Sequence, residues 1–198
     1  MKIVDKIKIM KDIALEQKIP IIMDDTLEVI KTILLKEKPK RILEVGTATG
    51  YSAICFSNIL NNNVIIDTIE LDEERAKQAN RNIEEMGLKE KINVIQGNAV
   101  EALPKLQEKY DIIFIDAAKG KYPIFLEEAI RLSHKGSTIL ADNILYKGYV
   151  MSDYNKHKQR TAVNNLRKYI QQTTNTEQLE TEILEVGDGL AISKVIKV

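Results

Sequence analysis

The feature that most constrains this chain is the stretch Arg41-Ile42-Leu43-Glu44-Val45-Gly46-Thr47-Ala48-Thr49-Gly50-Tyr51-Ser52. Ile42 to Val45 reads as a short buried strand, Gly46 and Gly50 bracket a tight turn, and Tyr51 to Ile54 open a helix. A strand that passes through a glycine turn into a helix presents free backbone N–H groups at its carboxyl end, the edge where open α/β sheets bind ligands. The spacing is G-x-x-x-G, whereas a dinucleotide fingerprint requires G-x-G-x-x-G. Past Gly50, at the end of the apolar run Val64 to Ile69, stands Glu70, a carboxylate able to take both hydroxyls of a ribose. The pair points to a nucleoside-containing cofactor other than a nicotinamide dinucleotide.

Around this stretch, apolar strand-like runs alternate with helical patterns, the mark of a parallel sheet covered on both faces. Two helices are expected first, at about 2–17 and 24–36, the second capped by Asp24-Asp25-Thr26. Strands follow at 41–45, 64–69, 92–96, 111–116 and 137–142, with helices at 73–86, 99–108, 121–133 and from Arg160 to about Gln172. The last two runs, Glu180 to Val186 and Gly189 to Val195, are separated by Gly187-Asp188, a hairpin signal. A length of 198 residues is that of one domain. The 29 basic and 29 acidic residues balance, so no overall field advertises nucleic acid or membrane, although a local basic patch stays open. No run approaches the ~20 apolar residues of a membrane span, and the charged N-terminus is no signal peptide. The single cysteine, Cys55, reads as a core residue and fits a reducing, cytoplasmic setting.

The strand–turn–helix with Glu70 resembles the first two motifs of the class I S-adenosyl-L-methionine-dependent methyltransferases. Glu44 accords with that resemblance, since an acidic residue at the strand tip suits a cationic sulfonium and ammonium and would repel a pyrophosphate. The resemblance implies a Rossmann-like α/β fold: a seven-stranded, mostly parallel sheet with helices on both faces and an antiparallel C-terminal hairpin. It also implies one methyltransferase domain over 1–198, with 1–36 covering the substrate side.

A second constellation joins Asp116-Ala117-Ala118-Lys119 to Asp142-Asn143. Residues just past neighbouring strands of an α/β sheet lie on the ligand-binding edge, so Asp116, Asp142 and Asn143 are expected to converge. Two carboxylates and an amide oxygen suit Mg²⁺, and Lys119 follows Asp116 by about one turn. The runs Phe114 to Lys119, Ala141-Asp142-Asn143 and Gly187-Asp188-Gly189-Leu190 resemble the motifs of the metal-dependent O-methyltransferases of catechol and caffeoyl-CoA type. The match covers about residues 20–195.

That resemblance implies that Asp116, Asp142 and Asn143 hold Mg²⁺ and that Lys119 takes the proton of the hydroxyl to be methylated. It places Glu44, Gly46, Thr47 and Ser52 at the methionine end of the cofactor, Glu70 at the ribose, and Asn98 and Ala99 near the adenine. Asp116 would be shared with the cofactor side, and Glu182 is a weaker candidate near the acceptor. Within the family, Ile19 to Asp24 and Ala141 to Gly148 are most similar to bacterial members that methylate 5-hydroxyuridine at the wobble position of tRNA. The segment Tyr146 to Arg160, with its tyrosines and basic residues, could meet phosphates and unpaired bases. Lys36, Lys38, Lys40 and Arg41 form a second basic cluster. A free catechol or hydroxycinnamoyl-type acceptor is the alternative, and a silent nucleoside- or RNA-binding module a third reading. Relatives of this size imply a homodimer. Neither His134 nor His157 joins a motif.

Overall fold

Most strands coincide with apolar runs of the sequence, and those ending at Val45, Ile115 and Ala141 stop where Gly46, Asp116 and Asp142 take over. The structure, a computed structural model, describes residues 3–153 and 157–198. It divides into two compact units, the first ending at Ala102 and the second starting at Leu103.

In the first unit, α1 (Ile3–Glu16) and α2 (Asp24–Glu37) pack on α3 (Tyr51–Ile59). Strands β1 (Arg41–Val45), β2 (Ile65–Glu70) and β3 (Ile92–Gln96) run parallel with β2 in the middle. Ile42, Leu43 and Ile66 are wholly excluded from water. Every residue of α3 from Tyr51 to Ser57, Cys55 included, is buried, which explains its lack of a polar face. Helix α4 (Glu73–Glu85) starts at Asp72, whose carboxylate accepts the Arg75 amide. It ends just before Gly87, which takes the left-handed conformation at φ +70°. The short α5 (Ala99–Ala102) closes the unit.

In the second unit, β4 (Tyr110–Ile115) leads through a 3₁₀ turn, Lys119–Lys121, into α6 (Tyr122–Arg131). Strand β5 (Ser133–Ala141) pairs parallel to β4. After α7 (Arg160–Thr174), β6 (Leu179–Leu184) and β7 (Leu190–Val195) form the C-terminal hairpin. The order is β4-β5-β7-β6, with β7 antiparallel to both of its neighbours. Among the described residues the two units thus hold seven strands, parallel except for this hairpin, as the sequence led us to expect.

Three features differ most from expectation. The acidic run before α2 does not cap it: Met23 is the N-cap without a side-chain bond, and Asp24 and Asp25 lie in the first turn. The helix expected at 99–108 stops at Ala102 and tightens into a 3₁₀ turn over Leu103–Lys105, because Pro104 has no N–H to continue it. Strand β5 begins at Ser133 rather than 137, its first residues His134, Lys135 and Gly136 being exposed and so lacking an apolar signal.

Candidate active site

In the first unit the expected cofactor residues gather at the carboxyl ends of β1 and β2. Glu44 is completely buried. One of its oxygens accepts the hydroxyl of Ser52 at the start of α3, and the other accepts Thr68 Oγ1 at 2.5 Å. Thr68 is the register partner of Glu44 across the ladder and also lies 2.5 Å from Thr47 Oγ1. Hydroxyls from the turn, the helix start and the neighbouring strand therefore fix this carboxylate in place. Gly46 holds φ +107° and donates its amide to Ile69 O at 3.0 Å, which carries the chain out of the strand.

Glu70 binds the same turn from the other side. Its Oε2 accepts the Ala48 amide at 2.7 Å, and its Oε1 accepts the Asp72 amide at 2.9 Å. Asn98 is exposed, and its Oδ1 accepts the Val100 amide at 3.0 Å, turning the chain into α5, where Ala99 is the first residue. Glu44, Gly46, Thr47, Ser52 and Glu70 are thus tied into one cluster, with Asn98 and Ala99 at the end of β3. A groove of about 280 Å³ between α1 and α4, lined by Ile9, Met10, Ile13 and Met86, contains none of these residues.

In the second unit, Asp116, Lys119, Asp142 and Asn143 do come together past β4 and β5. Lys119 Nζ donates to Asp116 Oδ1 at 2.8 Å and to Asn143 Oδ1 at 3.0 Å, so oxygens from two strand ends converge on one cation. Asn143 is held at φ +56°, and its amide donates to the Asp142 carboxylate at 2.7 Å. Asp142 is almost wholly buried. Burial first, then the negative charge of Asp116, push its carboxyl up to about 7.

An oxygen-only group that already gathers a lysine ammonium, with Asp116 close enough to raise the Asp142 carboxyl, fits a divalent cation. Among the described residues no three His, Cys, Asp or Glu side chains cluster for a metal, and the oxygen that stands beside the two carboxylates here is that of the Asn143 amide.

The segment after Asn143 is pinned from two sides. Leu145 N and Lys147 N donate to Asp188 O (2.9 Å) and Asp188 Oδ1 (2.5 Å) of the β6–β7 connection. From α7, the Arg167 guanidinium donates to the carbonyls of Val150 (3.0 Å), Tyr149 (3.2 Å) and Ser152. Tyr146 and Tyr149 meet edge to face with centroids 6.0 Å apart. Tyr154 and Lys156, which belong to the expected basic and aromatic patch, lie outside the described residues. Arg41 of the second basic cluster is engaged by Asp67 at 3.0 Å. Glu182 is exposed on β6, the outermost strand of its unit. His134 pairs with Asp111 at 3.0 Å and joins no site residue.

Sequence reasoning overlooked two groups. Thr68 could have been found by aligning β2 with β1, since a hydroxyl in an apolar strand opposite a buried glutamate calls for a partner. Tyr122, whose hydroxyl reaches the ends of β4 and β5, leaves no local signal.

The family described as O-methyltransferase matches residues 11–196. A catechol O-methyltransferase of Niastella koreensis is 34% identical over 165 residues, covering 79% of this chain and 73% of the relative. The catechol O-methyltransferase of Bos taurus is 28% identical over 172 residues, 83% of this chain and 63% of that one. Among solved structures, a candidate caffeoyl-CoA O-methyltransferase from Staphylococcus aureus superposes with a TM-score of 0.89 at 31% identity, covering 96% of this chain and 91% of that one. An O-methyltransferase from Bacillus cereus in complex with SAH gives 0.86 at 26% identity, covering 98% and 91%. The seven-stranded, Rossmann-like methyltransferase fold is therefore the fold of this chain.

Proposed function

This chain belongs to the O-methyltransferase family, and from that premise we propose that it moves a methyl group from S-adenosylmethionine to one of two adjacent oxygens on a catechol-type small molecule, with Mg²⁺ as the metal. The observation that carries the reading is Lys119, whose ammonium bridges Asp116 and Asn143 beside the buried Asp142. A pure binding module has no use for a base among oxygen donors.

In this reading Asp116, Asp142 and Asn143 hold the metal, whose chemistry is to polarise the acceptor oxygens and ease loss of a hydroxyl proton. Glu44, with Ser52 and Thr68 fixing it, faces the cationic methionine end of the cofactor, together with Gly46 and Thr47. Glu70 takes the ribose, and Asn98 and Ala99 border the adenine. Lys119 Nζ, in its neutral amine form, would accept the proton of the reacting hydroxyl and become the ammonium. The new O–C bond forms as the S–C bond breaks, and the chain's main contribution beyond the proton is to hold two reactants in line, worth up to ~7–11 kcal/mol. Residues 1–36 would cover the substrate side of a single catalytic domain. No helix among the described residues is long and apolar enough to cross a membrane. The buried free thiol of Cys55 supports a cytoplasmic setting, and the exposed Val4, Ile9 and Ile13 of α1 are compatible with a homodimer.

The small-molecule acceptor is favoured over 5-hydroxyuridine in tRNA because the named relatives are catechol and caffeoyl-CoA enzymes. The tRNA base shares the chemistry, since its ring also offers two vicinal oxygens. Transfer of labelled methyl to a simple catechol, to tRNA bearing 5-hydroxyuridine and to tRNA lacking it separates the two. Label in catechol, insensitive to salt, supports the reading. Label confined to hydroxylated tRNA and falling steeply with salt would replace the acceptor.

A further inference from the structure

The acidic ends of β4 and β5 are closed by a phenol. Tyr122, the first residue of α6, is completely buried. Its hydroxyl lies 2.7 Å from Asp142 O and 3.3 Å from Ile115 O. Ile115 directly precedes Asp116, and its carbonyl also accepts the Asp142 amide at 3.0 Å, just past the last ladder pair Ile115–Ala141. One hydroxyl thus spans the two backbone points from which both carboxylates depart. The ring does a second thing: Lys119 Nζ sits 5.3 Å from its centroid, within the range of a cation–π contact. Tyr169 of α7 packs on it edge to face, with centroids 5.6 Å apart, and limits its movement.

A phenylalanine would fill this core equally well and would avoid burying a hydroxyl. That hydroxyl donates toward the Asp142 and Ile115 carbonyls and also takes a backbone hydrogen bond from Ala117, so its place is set by residues at the two strand ends. We propose that Tyr122 is a positioning residue for the metal-and-base group: its hydroxyl sets the separation of the Asp116 and Asp142 backbones, and its ring face receives the Lys119 ammonium. The inference rests on the reading of Asp116, Asp142 and Asn143 as metal donors. Outer partners that orient such donors typically change metal affinity by about 10- to 100-fold when removed.

Tyr122→Phe tests it by deleting one oxygen while keeping the ring. Mn²⁺ binding, followed by electron paramagnetic resonance on the purified protein without acceptor or cofactor, gives a readout independent of turnover. Tyr169→Phe is the control, since it removes another buried hydroxyl from the same core, away from the strand ends. The expected result is Mn²⁺ affinity about 10-fold weaker in Tyr122→Phe and unchanged in Tyr169→Phe, with both variants giving the wild-type circular dichroism spectrum. Wild-type affinity in Tyr122→Phe overturns the proposal alone, and equal losses in the two variants do the same by showing general loosening. A wild-type protein that binds no Mn²⁺, or binds it equally well as Asp142→Ala, overturns the metal reading and the proposal together.

Discussion

Glu70 accepts the Ala48 amide at 2.7 Å, so the carboxylate that ends β2 also ties down the glycine turn that follows β1. A residue expected to hold a ribose is therefore part of the scaffold that shapes the turn. Its other oxygen accepts the Asp72 amide. Glu70→Gln keeps the shape but points an NH₂ at one of two backbone donors. Loss of a charge-assisted bond of this kind should cost about 1–3 kcal/mol of stability. Cofactor affinity should fall about 10-fold or more, measured by calorimetric titration with S-adenosylhomocysteine.

Gly189 is required for reasons of space and of backbone angle. A Cβ there would lie 2.4 Å from Leu145 Cγ, and the residue holds φ +90°. Gly189→Ala should destabilise the protein by about 1–3 kcal/mol in chemical denaturation. Adding Leu145→Ala removes the contacts with Cγ and Cδ1 but keeps the Leu145 Cβ at 2.9 Å and the backbone strain, so the double variant should cost somewhat less than the sum of the two single ones. Strict additivity would contradict the contact.

Asp142 gives the metal-free protein a pH signature. Its carboxyl is pushed up to about 7 by burial and by Asp116. The folded state then keeps a proton that the unfolded chain has released above about pH 4. The Asp142 contribution to stability in the presence of a chelator therefore falls as pH rises from about 4 to about 7 and levels off above that. Asp142→Asn removes the penalty. At pH 8 it should be more stable than the wild type by about 2–4 kcal/mol, and the two should converge near pH 4. Parallel stability curves for the two proteins would contradict the shift.

Arg167 holds the loop after Asn143 through the carbonyls of Tyr149, Val150 and Ser152. Arg167→Ala should free that loop. If the loop borders the acceptor, KM for catechol rises several-fold while cofactor affinity holds. An unchanged KM would separate the loop from acceptor binding.

Much of this was legible in the sequence, for identifiable reasons. Strands such as 41–45 and 92–96 are short apolar runs with clear polar stops, and Asp116, Lys119 and Asn143 sit at fixed offsets from two of the strands. The group formed by Glu44 and Ser52 follows from a strand, a turn and a helix start that are contiguous in the chain. What stayed hidden depends on distant partners or on exposure. Residues 134–136 of β5 are solvent-facing and so carry no pattern, and Pro104 halts a helix whose amphipathic pattern continues beyond it. Tyr122 reads as an ordinary core aromatic until β4 and β5 are paired and its hydroxyl is found between their ends.

With oxygen donors at Asp116, Asp142 and Asn143 holding the metal, methyl transfer should be metal-dependent. The most direct measurement is transfer of labelled methyl from S-adenosylmethionine to a catechol, with chelator present and after Mg²⁺ is restored. The expected result is at least about a 100-fold loss with chelator and full recovery with Mg²⁺, because the metal would ease loss of the hydroxyl proton. Transfer that proceeds unchanged in excess chelator would contradict it.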